Sequence, residues 1–363
     1  NSIKNTLSKG DQPNPHHVLA LASYKPLKDY KWREKLKNID TLKNIYRQQV
    51  LEPELEQNLK SNIPILNQIN NEVSLNVQKQ YEKNPYPRWV NLALSLKPLS
   101  ISEIINGYNL KIYDSSINKL NKVNILIAGC GTGQQSIGEA SKFKNSNILA
   151  IDLSLSSLAY AKRKTEEYNF KNIDYMQADI MDLRKIKKQF DIIECVGVLH
   201  HMENPLEGWK VLIDCLKTGG LMNIGLYSEL ARKPIEKTRN EIKRKNIKSD
   251  VDSMKMYREE IIQSNRDHHK DLLKYSDFYS LSELRDLLFH VQEHRFNIIQ
   301  VKEHLSTLGL KFCGFQSDKI TNDFKSLYKN QDDFYKLDIW DKFEKSYPDK
   351  FMGMYQFWCQ KVD

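Results

Sequence analysis

No run of 18 or more apolar residues occurs in the 363-residue chain, which excludes a membrane-spanning helix. The first residues, Asn1-Ser2-Ile3-Lys4, carry no apolar core of the kind a secretory signal needs. They also lack Met, so the sequence is expected to be part of a longer chain, with a missing upstream repeat domain left open. Five cysteines, Cys130, Cys195, Cys215, Cys313 and Cys359, form no C-x-x-C pair. An odd number of thiols in or beside apolar segments argues against a disulfide framework or zinc knot and for reduced, buried cysteines in a cytoplasmic protein. Residues 1–76 have no glycine after Gly10 and no internal repeat period; apolar positions such as Leu42, Ile45, Tyr46 and Val50 recur at helical spacing. The net charge of +9 admits a nucleic acid or an anionic partner. Lys, Asn and Ile are all abundant, so the charge reads as compositional and a nucleic-acid partner is not favoured.

What is present centres on Val123–Asp152. The apolar run Ile125-Leu126-Ile127-Ala128 suits a strand buried on both faces. Gly129, Gly131 and Gly133 follow, then a helix-compatible segment, then Ile148-Leu149-Ala150-Ile151 ending in Asp152. This reads as strand, tight turn, helix and second parallel strand. Glycines let the backbone turn and approach a ligand with no Cβ in the way. A carboxylate about 20 residues beyond the loop stands where a ribose diol is held. The bland reading is an ordinary strand-to-helix turn rich in glycine.

The third glycine arrives one residue early for the dinucleotide pattern G-x-G-x-x-G. AGCGTG resembles instead the first motif of the class I S-adenosylmethionine-dependent methyltransferases. The resemblance implies that Gly129, Gly131 and Gly133 admit the methionine part of that cofactor, and that Asp152 with Leu153 lies at the ribose. Farther on, Ser154 can cap a helix running to Tyr168, and Ile173–Ala178 reads as a third strand. Asp179-Ile180 follows; in the family an acidic residue here accepts from the adenine amino group and the next side chain packs on the ring. A helix N-cap is the alternative for Asp179. Phe190–Val196 is the fourth strand; Gly197–Pro205, GVLHHMENP, closely resembles the family's segment after that strand, and the resemblance implies Val198 and Leu199 as an apolar floor beside the cofactor.

Gln80–Trp89, QYEKNPYPRW, combines two prolines bracketing a tyrosine, which stiffens the backbone. Tyr81, Tyr86, Arg88 and Trp89 suit either the wall of a binding site or an aromatic clamp. The stretch resembles the QYExNPYPRW segment of a group of uncharacterised bacterial methyltransferases often fused to tetratricopeptide repeats, where it immediately precedes the catalytic core.

His200 and His201 titrate near neutrality and could take a proton from an acceptor; shaping the cofactor pocket is the competing role. Pro205–Leu216 reads as a helix, Thr218-Gly219-Gly220 as a turn, and Leu221–Tyr227 as the fifth strand, with Tyr227 entering the site. Glu229–Gln292 is a charged helical insertion with Pro234 as its single proline and no glycine. In the family, additions at this place form a lid over the acceptor. Within it Ser282 could cap a helix whose apolar face is Leu284, Leu287, Leu288 and Val291, with Arg285 and Asp286 off that face. His290-Val291-Gln292-Glu293-His294 matches H-x-x-E-H, in which two histidines on one helix face chelate a metal. A hydrolase or incidental metal site is therefore a second class to weigh against an acceptor pocket lined by Tyr279, Arg285, His290 and His294. Leu310–Phe315 and Met352–Cys359 are the sixth and seventh strands, the last expected to run antiparallel beside the sixth.

The expected fold is α/β: a Rossmann-like seven-stranded class I methyltransferase sheet with an N-terminal helical domain and a helical lid insertion. The expected divisions are 1–76, helical; 77–120, lead-in; 121–228, cofactor-binding core; 229–292, lid; and 293–363, the end of the core. The expected activity is methyl transfer from S-adenosyl-L-methionine to O or N of a small-molecule acceptor. The candidates for its deprotonation are His200, His201, Tyr227 and His290. A non-catalytic module binding the cofactor or RNA is the alternative. No metal and no membrane partner are expected, and neither the acceptor nor the oligomeric state is legible.

Overall fold

Each long apolar run of the second half becomes a strand of one sheet. The structure, a computed structural model, describes every residue except Asn1, Met352 and Asp363. The strands are β1 (Val123–Ala128), β2 (Ser146–Asp152), β3 (Ile173–Gln177), β4 (Phe190–Val196), β5 (Leu216–Tyr227), β6 (Leu310–Phe315) and β7 (Met354–Lys361). They lie in the order β3-β2-β1-β4-β5-β7-β6. β3, β2, β1, β4 and β5 pair in parallel, while β7 is antiparallel to both β5 and β6. The sheet is therefore the expected mixed, seven-stranded Rossmann-like one. Helices cross between the parallel strands, and β1 and β4 are buried on both faces, which is why their sequences are continuous rather than alternating.

Two boundaries differ from expectation. β5 runs back to Leu216, straight through Gly219-Gly220, and pairs with β4 across a register shift between Phe190 and Ile192. The expected Thr218–Gly220 turn is thus an irregular stretch of strand, and the preceding helix stops at Asp214. β7 begins at Met354; Met352, where the sequence reading began it, lies outside the described residues.

The chain divides into a compact unit ending at Ile63 and a second from Pro64 onward. The first unit is built of short helical pieces, including Pro15–Tyr24 and Glu52–Lys60. Its core holds Val18, Leu27, Leu36, Leu42 and Val50. Residues after the break serve the sheet unit: the Pro64 carbonyl accepts from Gln177 N, and Leu66 N donates to Gln177 O, at 2.9 Å each. This extends the β3 edge by an isolated parallel bridge at Ile65.

The insertion after β5 forms four helices, Lys233–Lys245, Val251–Gln263, Asp267–Leu272 and Leu281–Phe289. They bury a cluster of their own around Ile235, Met254, Tyr257, Phe278, Leu284 and Leu288. The last helix follows Ser280, not Ser282, and ends at Phe289. Val291 is 52% exposed and leaves the apolar face. His290–His294 is irregular and not helical, because its backbone bonds go elsewhere: His294 N donates to His200 O at 2.7 Å and Phe296 N to Tyr227 O at 2.9 Å.

Candidate functional site

At the carboxyl ends of β1, β2 and β4, where open α/β sheets hold ligands, one cavity of about 440 Å³ opens. That is within the range of small-molecule sites. Gly129, Cys130 and Gly131 from the glycine loop line it, with Asp152 and Leu153 after β2, Asp179 and Ile180 after β3, and Val196–Val198 after β4. Gly129 packs so tightly that a Cβ would stand 2.3 Å from Val198 Cγ2. Gly133 lies apart from the lining. It starts the Gln134–Lys142 helix, where a Cβ would meet Ala161 at 2.6 Å. Leu199 is also absent from the lining, being fully buried in the main core.

Asp152 is held by the loop it serves. Gly131 N donates to Oδ2 and Ser154 N to Oδ1, both at 2.9 Å. Each carboxylate oxygen has two lone pairs, so each keeps one for a ligand hydroxyl. Burial pushes this carboxyl up to about 6, against the pull of those backbone N–H groups; it is mainly ionised at neutral pH. Asp179 caps the turn Ile180–Ile186, its Oδ1 accepting from Met181 N at 2.9 Å. Asp179 both caps the turn and lines the cavity, and no partner of Oδ2 appears among the described residues.

The Gln80–Trp89 stretch is wall and clamp at once. Tyr81, on the end of the Glu72–Lys83 helix, and Tyr86 line the cavity. The Tyr86 carbonyl accepts from Thr132 N at 3.3 Å, and Trp89 Nε1 donates to Thr132 Oγ1 at 3.2 Å. Trp89 lies against the rings of Tyr160 and Tyr168, tying the segment to the helix after β2. It does not line the cavity, and Arg88 is exposed outside it. Glu82, on the Glu72–Lys83 helix, accepts from Leu155 N and Ser156 N at 3.0 and 2.9 Å. A carboxylate there caps the helix next to Asp152.

The end of the cavity away from Asp152 is made of Tyr81, Tyr86, His201, Met202, Tyr227, Met354 and Asp286. Tyr81 OH lies 2.6 Å from Asp286 Oδ1, and His290 Nε2 lies 3.1 Å from Tyr81 OH. The His290 ring stacks on His201 at 3.6 Å. Tyr227 is sandwiched between His200 and the Arg232 guanidinium, each 3.6 Å from its ring centre. Burial keeps the phenols of Tyr81, Tyr86 and Tyr227 protonated, pushing each above its ordinary range. It also pushes His201 down to about 4, and His200 and His290 well below their usual range. All three histidines are neutral at pH 7.

His200 lies outside the lining of the cavity. It is fully buried and neither ring nitrogen has a partner among the described residues; its ring is a packing surface for Tyr227. Tyr279 is 60% exposed and its hydroxyl donates to Leu273 O, away from the cavity. Arg285 is half-buried, donates to Ser249 O and stays outside the lining. His294 accepts from Gln292 Nε2 at 3.0 Å and stays outside the lining. Asp286 replaces them as the lid's contribution. A lone acidic residue on a polar helix face gave no sign of this, since its partner Tyr81 lies 205 positions away.

The H-x-x-E-H metal reading is overturned. The segment is not helical, and Glu293 forms a bidentate pair with Arg232 (3.1 and 2.7 Å) and meets Arg239 at 3.3 Å. Among the described residues the grouping with metal-ligand geometry is Glu241, His268 and His269, in the lid. There Glu241 Oε2 already accepts from Arg266 at 2.7 Å and the Tyr257 hydroxyl at 3.2 Å, and Oε1 lies 2.7 Å from His268 Nε2.

Residues 125–220 match a family model described as a methyltransferase domain. An uncharacterised protein of Synechococcus sp. is 29% identical over 238 residues, 59% of this chain and 56% of that protein. A ubiquinone biosynthesis O-methyltransferase of Coxiella burnetii is 34% identical over 132 residues, 36% of this chain and 53% of that enzyme. The chain thus spans about half the length of these curated relatives. Among solved structures, PKMT2 from Rickettsia typhi superimposes with a TM-score of 0.55 at 17% identity, covering 74% of this chain and 55% of that one. That likeness is one of fold.

Proposed function

We propose that this chain is an S-adenosylmethionine-dependent methyltransferase acting on an O or N nucleophile of a small-molecule acceptor. The observation that carries the reading is the single cavity joining Asp152, bonded by Gly131 N, to the chamber around Tyr81, Tyr227 and Asp286. The residues present fit the cofactor. Asp152 retains lone pairs for a ribose diol, Asp179 retains Oδ2 for an amino group, and Ile180 and Val198 offer apolar faces to a ring. Gly131 lines the cavity beside Asp152. S-adenosylmethionine, when bound, supplies an electrophilic methyl group on a sulfonium whose departing form is a neutral thioether.

The chain's own work is positioning and exclusion of water. Tyr86, Tyr227 and Met354 bring apolar and aromatic surface around the acceptor end. The lid covers it with Asp286, and His201 presents neutral imidazole. The relative named for O-methyl transfer in ubiquinone biosynthesis supports a small acceptor. The five buried, free cysteines fit a reducing compartment such as the cytoplasm.

Calorimetric titration with S-adenosylmethionine and S-adenosylhomocysteine tests the reading. Binding in the micromolar range is expected, weakened at least about tenfold by Asp152→Ala, which removes a hydrogen-bonded charge. A well-folded protein that binds neither ligand overturns it.

A further inference from the structure

The acceptor chamber contains a hydrogen-bond chain whose direction is set by its ends. Gln292 N can only donate, and it lies 3.1 Å from His290 Nδ1. The neutral ring therefore carries its proton on Nε2. That N–H points at the Tyr81 oxygen, 3.1 Å away, so the single Tyr81 proton goes to Asp286 Oδ1 at 2.6 Å. His201 is fixed the same way, with Nδ1–H donating to the Gln292 carbonyl at 2.6 Å. Every hydrogen of this network is committed, and it ends on a carboxylate. No partner of Asp286 Oδ2 appears among the described residues, and Asp286 lines the cavity.

The charge of the chamber follows. Arg232 is spent on Glu293 and covered by the Tyr227 ring. The phenols and histidines are neutral, so Asp286 is the one charge on the lining of this end. The lining offers an incoming carboxylate a buried anion and no Lys or Arg, so two anions would share whatever positive charge the cofactor brings, which is unfavourable. A group bearing an O–H or N–H hydrogen would meet an unpaired acceptor.

Resting on the methyltransferase reading above, we propose that Asp286 receives the proton of the methyl acceptor, and that the acceptor's reacting end is a hydroxyl or an ammonium, not a carboxylate. The acceptor's O–H or N–H bond breaks, the proton bonding to Asp286 Oδ2 and the electron pair staying on the acceptor atom. That pair forms the bond to the methyl carbon as the carbon–sulfur bond breaks with its pair on sulfur. Asp286 then returns the proton to water. Burial pushes Asp286 up to about 6. The Tyr81 hydrogen bond and Arg232 pull it down, while Glu293 and Asp277 push it up. It is a stronger base than His201 and is still largely ionised at neutral pH, as a general base should be.

The test uses the full chain saturated with S-adenosylhomocysteine. Calorimetry with that ligand first shows that each variant is folded, and its failure in the unaltered protein would sink the methyltransferase reading instead. Phenol, benzylamine and benzoate are then titrated as probes of the chamber. Phenol and benzylamine are expected to bind at least about tenfold more tightly than benzoate, and Asp286→Asn to erase that ranking. At about pH 5.5, benzylamine binding should release most of one proton in the unaltered protein and none in Asp286→Asn, read from the binding heat in buffers of different ionisation enthalpy. Tyr81→Phe keeps the carboxylate and should keep the ranking, with proton release persisting to higher pH. Equal binding of benzoate, no binding of any probe, or a ranking and proton count untouched by Asp286→Asn would each overturn the proposal.

Discussion

A Cβ at Gly131 would stand 2.5 Å from the carbonyl oxygen of Tyr86, and the residue's φ is +51°. The glycine is needed as much for the chain's own NPYPRW segment as for a ligand. Gly131→Ala combines left-handed backbone strain with a clash against a carbonyl that Thr132 already engages. It should cost at least about 2 kcal/mol, measured by urea unfolding of the ligand-free protein. A loss below about 0.5 kcal/mol would show that the segment moves aside freely. The glycine spacing was legible in the sequence. Its packing reason was not, because Tyr86 lies 45 positions upstream and only the fold brings its carbonyl onto the loop.

Among elements, the strap from His290 to Phe296 shows how a local motif yields to its surroundings. The spacing of His290, Glu293 and His294 would put them on one helix face. Yet the segment's backbone bonds go to the carbonyls of His200 and Tyr227, and Glu293 turns to Arg232 and Arg239. Burial alone would raise the Glu293 carboxyl; the two arginines overcome it and hold it below the usual range. Its side chain is 2% exposed and that of Arg232 5%. Glu293→Gln leaves Arg232 buried without its counter-ion and should destabilise the protein by about 3–5 kcal/mol at pH 7. The sign with pH follows from the lowered folded value. The stabilisation is complete above about pH 4.3, the unfolded range, and is lost as pH falls through the folded value. Thermal unfolding from pH 7 to 3 should therefore converge for the two proteins, and a gap that stays constant would assign the effect to lost packing instead.

At the scale of the whole molecule, every residue lining the cavity belongs to the unit that begins at Pro64. A chain of residues 64–363 should bind S-adenosylhomocysteine within about threefold of the full-length affinity, a difference below 1 kcal/mol. Loss of binding with the sheet unit still folded, by circular dichroism, would mean that the first 63 residues shape the site. The positions of the seven strands were readable from seven apolar runs, because parallel strands buried on both faces leave continuous hydrophobic stretches; their order in the sheet came only with the structure. The extent of β5 was not, since Gly219-Gly220 reads as a turn until strand pairing overrides it.

What the sequence determined by itself is local: strand runs, the glycine loop, Asp152 and Asp179, and the charged insertion after the fifth strand. These depend on periodicity and short spacing, which survive without coordinates. Only the tertiary structure decided which side chains share the cavity. It brought Tyr81 to Asp286 and His290, buried His200 as packing, kept Arg285 and Tyr279 out of the lining, and took Glu293 from any metal. Those outcomes rest on contacts that no local pattern records: Tyr81 meets Asp286 across 205 positions, and Arg232 meets Glu293 across 61.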